Sequence, residues 1–341
     1  MEQSDFRART WTLTDGNAGN LRQVHALASA LGRPVRDVTL QARAPWRWLA
    51  PRALPGASRA FGDGFARALA ATPELAIGCG RQAALATRLL RRRGARAVQI
   101  LDPRIAPRHW DLVIAPEHDD LTGDNVIPML GSLHPVDDAW LEAARRDFGA
   151  IAARSPQPRT ALLLGGSSAH ARLDPAMADA LAYRLQRVVG AEDGCLMVTT
   201  SRRTPPEVAA RLRQRFAGRA GLFWSGPTDG VNPYPGLLAC SDRIVCTADS
   251  VNMLSEACAT RLPVFVAGLG EVSGRPRRFV DSLLGLGRVR ALDDTLAAFA
   301  VTPLRETARV AAEVRHRLQL DAPTQPTTPM QLSPKGTSFG A

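Results

Sequence analysis

The chain is predicted to be an α/β protein made of two doubly wound parallel domains. Three observations carry this. Short apolar runs alternate with amphipathic stretches along most of the sequence. The alternation breaks at Ser155-Pro156-Gln157-Pro158-Arg159 and then restarts. A length of 341 residues suffices for about two hydrophobic cores.

In the first half a strand over 11–14 ends in Asp15-Gly16-Asn17, and Leu21, Val24, Leu27, Ala28 and Leu31 then recur at helical spacing. Strands follow over 35–40, 75–77, 97–101, 112–114 and 125–127, with a helix to about residue 93 and another over 138–153. In the second half strands over 160–164, 195–198, 221–224, 243–246 and 262–266 alternate with helices over 175–189, 205–216, 234–240, 251–259, 277–284 and 293–318. The expected division is 1–153, 154–320 with its last helix packing back on the first domain, and a disordered Pro/Thr/Ser-rich tail over 321–341.

Composition excludes several classes. With 45% hydrophobic residues the chain has the apolar content of a folded protein, and no run approaches the ~20 apolar residues of a membrane span. The polar start, Met1-Glu2-Gln3-Ser4-Asp5-Phe6-Arg7, has no apolar signal-peptide core, so a cytoplasmic protein is expected. Five cysteines without a CxxC spacing read as core fillers, and six histidines without HxxxH or HExxH spacing indicate no metal site.

The net charge of +11 comes almost wholly from arginine, Lys335 being the one lysine, and it is unevenly placed. Residues 33–108 hold fifteen arginines against Asp37, Asp63, Glu74 and Asp102. Within them, Arg43-Ala44-Pro45-Trp46-Arg47-Trp48-Leu49-Ala50-Pro51-Arg52 interleaves arginine with tryptophan. Two readings stay open: an ordinary solvated surface with both indoles packed inward, or a peripheral surface for an anionic membrane or a lipid-linked acceptor. No nucleic-acid module is recognisable and only 5% of residues are aromatic, so no nucleic-acid partner is expected.

Ligands of open parallel sheets bind beyond the carboxyl ends of the strands, so the polar residues there are the informative ones. Gly165-Gly166-Ser167-Ser168 follows the first strand of the second half; it suits either a tight turn or close approach of a phosphate, and it is neither GxGxxG nor a P-loop. Thr199-Thr200-Ser201-Arg202-Arg203-Thr204-Pro205 sets two arginines before a helix start, fitting a diphosphate or merely a capped helix. In Cys246-Thr247-Ala248-Asp249-Ser250-Val251, Asp249 or Ser250 can cap the next helix. A diphosphate at that helix start, with Glu256 accepting from ribose hydroxyls, would account for the cluster more fully. In the first half, His118, Asp119 and Asp15 at strand ends are rival candidates for a general base.

Taken together, Thr14-Asp15-Gly16, Asp102-Pro103-Arg104, Pro116-Glu117-His118-Asp119, Gly165-Gly166-Ser167, Thr200 to Pro205 and Thr247 to Ala257 resemble the mitochondrial-fission ELM-type family, over about residues 10–290. That family looks like a branch of the GT-B glycosyltransferase architecture, two Rossmann-like domains facing across a cleft. The resemblance implies nucleotide-sugar binding, with Gly165, Gly166, Ser167, Ser201, Arg202, Arg203, Asp249, Ser250 and Glu256 as the donor site. Plant members are associated with recruiting a dynamin-like protein to mitochondria, for which no residue of this chain speaks. One departure is Ala259-Thr260-Arg261-Leu262-Pro263, where the family usually has a glycine in the closing turn.

The expected function is a metal-independent glycosyltransferase with a nucleoside-diphosphate sugar as donor substrate, no further cofactor, and a cell-envelope glycolipid or polysaccharide precursor as acceptor. A nucleotide-sugar epimerase and a non-catalytic scaffold are the alternatives.

Overall fold

The computed structural model describes residues 9–217 and 220–320; the expected tail over 321–341 lies outside them. Two compact units emerge. One comprises the described residues up to Pro135 together with those from Arg305, and the other runs Val136–Leu304.

The first unit contains a six-stranded parallel sheet with the order β2-β1-β3-β4-β5-β6. Its strands are β1 (Thr10–Thr14), β2 (Val35–Thr39), β3 (Leu75–Cys79), β4 (Arg96–Ile100), β5 (Leu112–Pro116) and β6 (Val126–Met129). β1, β3 and β5 are buried along their whole length, as strands covered by helices on both faces must be. One face is covered by α1 (Ala18–Ala30) and by α11 (Glu306–Arg317), whose Val310, Ala311 and Val314 enter the same core as Val24, Leu27 and Ile77. The Thr307 hydroxyl fastens α11 there, donating to the His134 carbonyl at 2.8 Å and accepting from the His134 N–H at 3.1 Å. The other face carries α2 (Trp46–Leu49), α3 (Gly62–Ala68) and α4 (Arg81–Arg91), which pack Phe65, Leu85 and Leu89 against Trp11 and Leu13.

In the second unit the sheet order is β12-β11-β10-β7-β8-β9, again all parallel. Its strands are β7 (Arg159–Leu164), β8 (Cys195–Thr200), β9 (Ala220–Trp224), β10 (Arg243–Thr247), β11 (Val264–Ala267) and β12 (Arg290–Ala291). The helices are α5 (Asp138–Ala153), α6 (Pro175–Ala191), α7 (Pro206–Arg215), α8 (Tyr234–Cys240), α9 (Val251–Cys258) and α10 (Gly274–Gly285). Local signals start several of them: the Asp137 and Asp174 carboxylates accept the N–H groups of Trp140 and Met177, and Pro175 opens α6 with its φ already helical. Phe265, Leu196, Leu185 and Phe216 lie in its core.

The expected helix over 293–318 is corrected: α11 begins only at Glu306. The Asp293 carboxylate accepts from the Thr295 and Leu296 N–H groups, and Leu296 takes a left-handed φ of 48°. Pro303 then bars helical continuation back through residues 299–302. The irregular stretch lays Leu296 and Phe299 on the second core, with Phe299 edge-on to Phe265 at 5.6 Å.

Candidate functional site

In each sheet the chain order reverses beside the first strand, and a crevice at the carboxyl ends of the two strands flanking such a reversal is where doubly wound folds hold ligands. In the second unit those strands are β7 and β10, with β8 on the far side of β7. Neighbouring strands lie ~4.8 Å apart. The ends of β10, β7 and β8 therefore stand side by side, and the sequence-predicted donor residues Gly165 to Ser167, Ser201 to Arg203 and Asp249 to Ser250 come together there.

Hydrogen bonds knit the three ends. The Thr247 hydroxyl accepts from the Gly165 N–H at 2.8 Å, and an Asp249 carboxylate oxygen accepts from the Gly166 N–H at 2.7 Å. The Leu164 carbonyl accepts from the Ser201 N–H at 2.8 Å, and the Thr204 hydroxyl donates to the Gly165 carbonyl. The turn tolerates only glycine because of space: a Cβ at Gly165 would overlap the Asp249 carboxylate, and one at Gly166 the Arg203 carbonyl.

Asp249 faces inward, its side chain 5% exposed, with Arg203 at 3.5 Å. Burial pushes its carboxyl above the ordinary value, while hydrogen bonds from Thr247 and Gly166 and the Arg203 charge pull the other way. The helix cap is Ser250, whose hydroxyl accepts from the Met253 N–H at 3.4 Å. Ser167 and Ser201 spend their hydroxyls locally: Ser167 donates to the Leu173 carbonyl at 3.2 Å, and Ser201 accepts from the Arg203 N–H at 3.1 Å. Glu256, about two turns into α9, is 1% exposed and so enclosed within the unit. Arg202 is exposed and makes no hydrogen bond or ion pair to any described residue. The edge thus offers an anion a free guanidinium and the start of α9, whose first N–H groups have no partner within the helix.

A folded carboxyl raised above 3.8 favours the protonated native state. Its contribution to stability is complete at low pH and lost as pH rises through the folded value. Asp249→Asn keeps an acceptor for Gly166 but removes the buried charge. A higher melting midpoint than the parent is expected at pH 7, with the difference closing as pH falls toward 4; parallel midpoints over that range would count against it.

In the first unit the reversal lies between β1 and β3. Asp15 at the end of β1 accepts from the Asn17 N–H at 3.2 Å and from Asn20 Nδ2 at 2.9 Å, while Asn20 Oδ1 accepts from Cys79 Sγ at 3.4 Å. Asn20 is thus the bridge between the two strand ends, an element sequence reasoning missed because Asp15 to Asn20 reads as a plain turn. Gly80, at φ +91°, packs against that same amide. His118 and Asp119 are half-buried in a one-turn helix, Glu117–Asp119, at the end of β5. Three strand spacings, ~14 Å, separate β1 from β5. Asp15 therefore does not form a dyad with His118.

The sequence profile of the family described as Mitochondrial fission ELM1 matches residues 18–318. The chain belongs to this family. It is 29% identical to the mitochondrial fission protein ELM1 of Arabidopsis thaliana over 276 residues, covering 72% of this chain and 64% of that protein, so it spans under two thirds of the plant relative. A second relative, the uncharacterized protein RP120 of Rickettsia prowazekii, is 22% identical, with 91% of this chain and 99% of that one covered.

Among solved structures, UDP-GlcNAc 2-epimerase from Methanocaldococcus jannaschii superposes with a TM-score of 0.54 at 12% identity, covering 93% of each chain. Its complex with UDP-GlcNAc and UDP gives 0.51 at 10%, covering 90% of this chain and 99% of that one. MurG of Acinetobacter baumannii gives 0.50 at 14%, with 92% of each chain covered. These likenesses are of fold: the GT-B type with two Rossmann-like sheets.

Proposed function

We propose that this family member is a glycosyltransferase that holds a nucleoside-diphosphate sugar at the β7/β10 edge of the second unit. The carrying observation is the convergence of the Gly165–Gly166 turn, the unpaired Arg202 and the Ser250-capped start of α9 on three adjacent strand ends. A diphosphate there would meet Arg202 and Arg203 and the first N–H groups of α9. Support also comes from a protein of the same fold that was solved with UDP-GlcNAc and UDP.

In the transfer step a base removes the proton of the acceptor hydroxyl. The acceptor oxygen bonds to the anomeric carbon, and the carbon–oxygen bond to the diphosphate breaks with its electron pair on the nucleotide. Arg202 and the α9 amides neutralise the charge that develops on the leaving group, the kind of fixed electrostatic help worth ~3 kcal/mol per donor. His118 with Asp119, or separately Asp15, supplies the base. The acceptor is a cell-envelope glycolipid or polysaccharide precursor.

One observation favours a second reading, a non-catalytic scaffold. The Gly166 amide is already taken by Asp249, and the Ser167 and Ser201 hydroxyls are engaged within their own turns. Incubation with UDP-GlcNAc and a lipid extract, followed by NMR, separates the cases. Transfer releases UDP and forms a new glycoside; epimerisation changes the sugar and leaves the nucleotide ester intact. An unchanged spectrum across a panel of sugar nucleotides would leave the scaffold standing.

A further inference from the structure

In the first unit, the stretch from Trp46 to Ser58 lies along the outer side of α4, and three sets of contacts place it there. Arg81 donates to the Arg47 carbonyl at 2.8 Å, and Arg88 donates to the Pro51 carbonyl at 2.7 Å. At the end of α4, Leu89, Arg92 and Arg93 line a cavity of about 400 Å³ together with Ala53, Leu54 and Pro55. The two indoles differ in placement. Trp46 turns inward, its ring against Gly56 and the core beneath. Trp48 points out at 59% exposure, with the Arg47 guanidinium 4.2 Å from its ring centroid, and Leu54 is 45% exposed.

Two large hydrophobic side chains thus stand in solvent within seven residues of one another, beside the exposed Arg47, Arg52, Arg81, Arg92 and Arg93. No carboxylate occurs in the sequence between Asp37 and Asp63 or between Glu74 and Asp102. Trp48 stands near the start of α4 and Leu54 near its end, each among these arginines, and none of the five arginines has an ion pair among the described residues.

We propose that this face is a docking surface for an anionic lipid bilayer, with Trp48 and Leu54 entering the headgroup region and the arginines meeting lipid phosphates. An indole beside a guanidinium suits the boundary between headgroups and acyl chains. Leu54, Ala53 and Pro55 give an aliphatic surface, and Arg47 already covers one face of Trp48. Both features suit acyl chains better than stacked bases. This surface is independent of the β7/β10 edge, so the two proposals fail separately.

The test is flotation of the purified chain with vesicles of phosphatidylcholine alone and of phosphatidylcholine with phosphatidylglycerol. Binding is expected only to the anionic vesicles and is expected to weaken with salt. Trp48→Ser with Leu54→Ser should abolish flotation without moving the melting midpoint, since both side chains are largely exposed. Arg92→Gln with Arg93→Gln should weaken it about fivefold per arginine. UDP titration of the same variants reports separately on the nucleotide edge. Equal flotation with both vesicle types would overturn the proposal, as would unchanged flotation of the Trp48/Leu54 variant. Binding to single-stranded RNA without binding to the anionic vesicles would also overturn it, in favour of a nucleic-acid surface.

Discussion

Gly166→Ala is expected to lower the melting midpoint of the second unit by ~10 °C. The added methyl group would overlap the Arg203 carbonyl, and a backbone carbonyl cannot rotate away as a side chain does. Overpacking of this kind costs ~3 kcal/mol or more when the obstacle is main chain. For a unit of this size each kcal/mol moves the midpoint by roughly 2–4 °C. The control is Gly149→Ala in α5, where a Cβ meets nothing within 4 Å. That variant should gain up to about 1 kcal/mol, because alanine forms helix better than glycine. Thermal melts followed by circular dichroism read both. A Gly166→Ala midpoint within a degree or two of the parent would mean that the β7 and β8 ends are not locked as described.

Arg288→Met is expected to cost on the order of 4 kcal/mol. The guanidinium is buried and donates to the carbonyls of Cys258 at 3.0 Å, Thr260 at 2.9 Å, Ala257 at 3.3 Å and Leu262 at 3.3 Å. The Cys258 carbonyl also accepts from the Leu304 N–H at 2.8 Å and the Ala257 carbonyl from the Thr260 hydroxyl at 2.7 Å, so the carbonyls that depend most on Arg288 are those of Thr260 and Leu262, and a cation there also meets the negative end of the helix. Each buried carbonyl left unsatisfied costs ~1–3 kcal/mol, part of which relaxation recovers. The same contacts tie the closing turn at Thr260-Arg261-Leu262 from outside. Arg288→Lys should recover only part of the loss, since an ammonium has three donors and lacks the planar fork. Urea melts of the three proteins decide it, and equal stability of the Met and Lys variants would contradict the assignment.

The alternating architecture was legible because strands buried on both faces are written as continuous apolar runs, such as Leu75-Ala76-Ile77 and Ile244-Val245-Cys246. Strand ends were legible because Asp-Gly, Gly-Gly and Thr-Ala-Asp-Ser break those runs. What the sequence conceals is pairing across long separations. Nothing near Asp249 says that its carboxylate will turn back onto the Gly166 amide 83 residues earlier, nor does Arg288 announce the carbonyls of α9 30 residues before it. The short helices between β2 and β3 were illegible for another reason: prolines and glycines cut Trp46 to Ala68 into pieces too short for a helical period to show. The stretch 293–305 misled because its apolar residues pack without forming a helix.

The donor site was legible as a set of residue types and strand ends, and less so as individual roles. Ser250, not Asp249, caps α9, and Arg202 is the arginine of the pair that is left unpaired.

Calorimetric titration of the chain with UDP tests the nucleotide-binding edge most directly. Saturable binding at one site per chain is expected, weakened about tenfold by Arg202→Ala, which corresponds to the ~1.4 kcal/mol of one charge-assisted contact at an exposed guanidinium. Absence of binding by UDP and by the other nucleoside diphosphates would contradict the account, and so would binding that Arg202→Ala leaves unchanged.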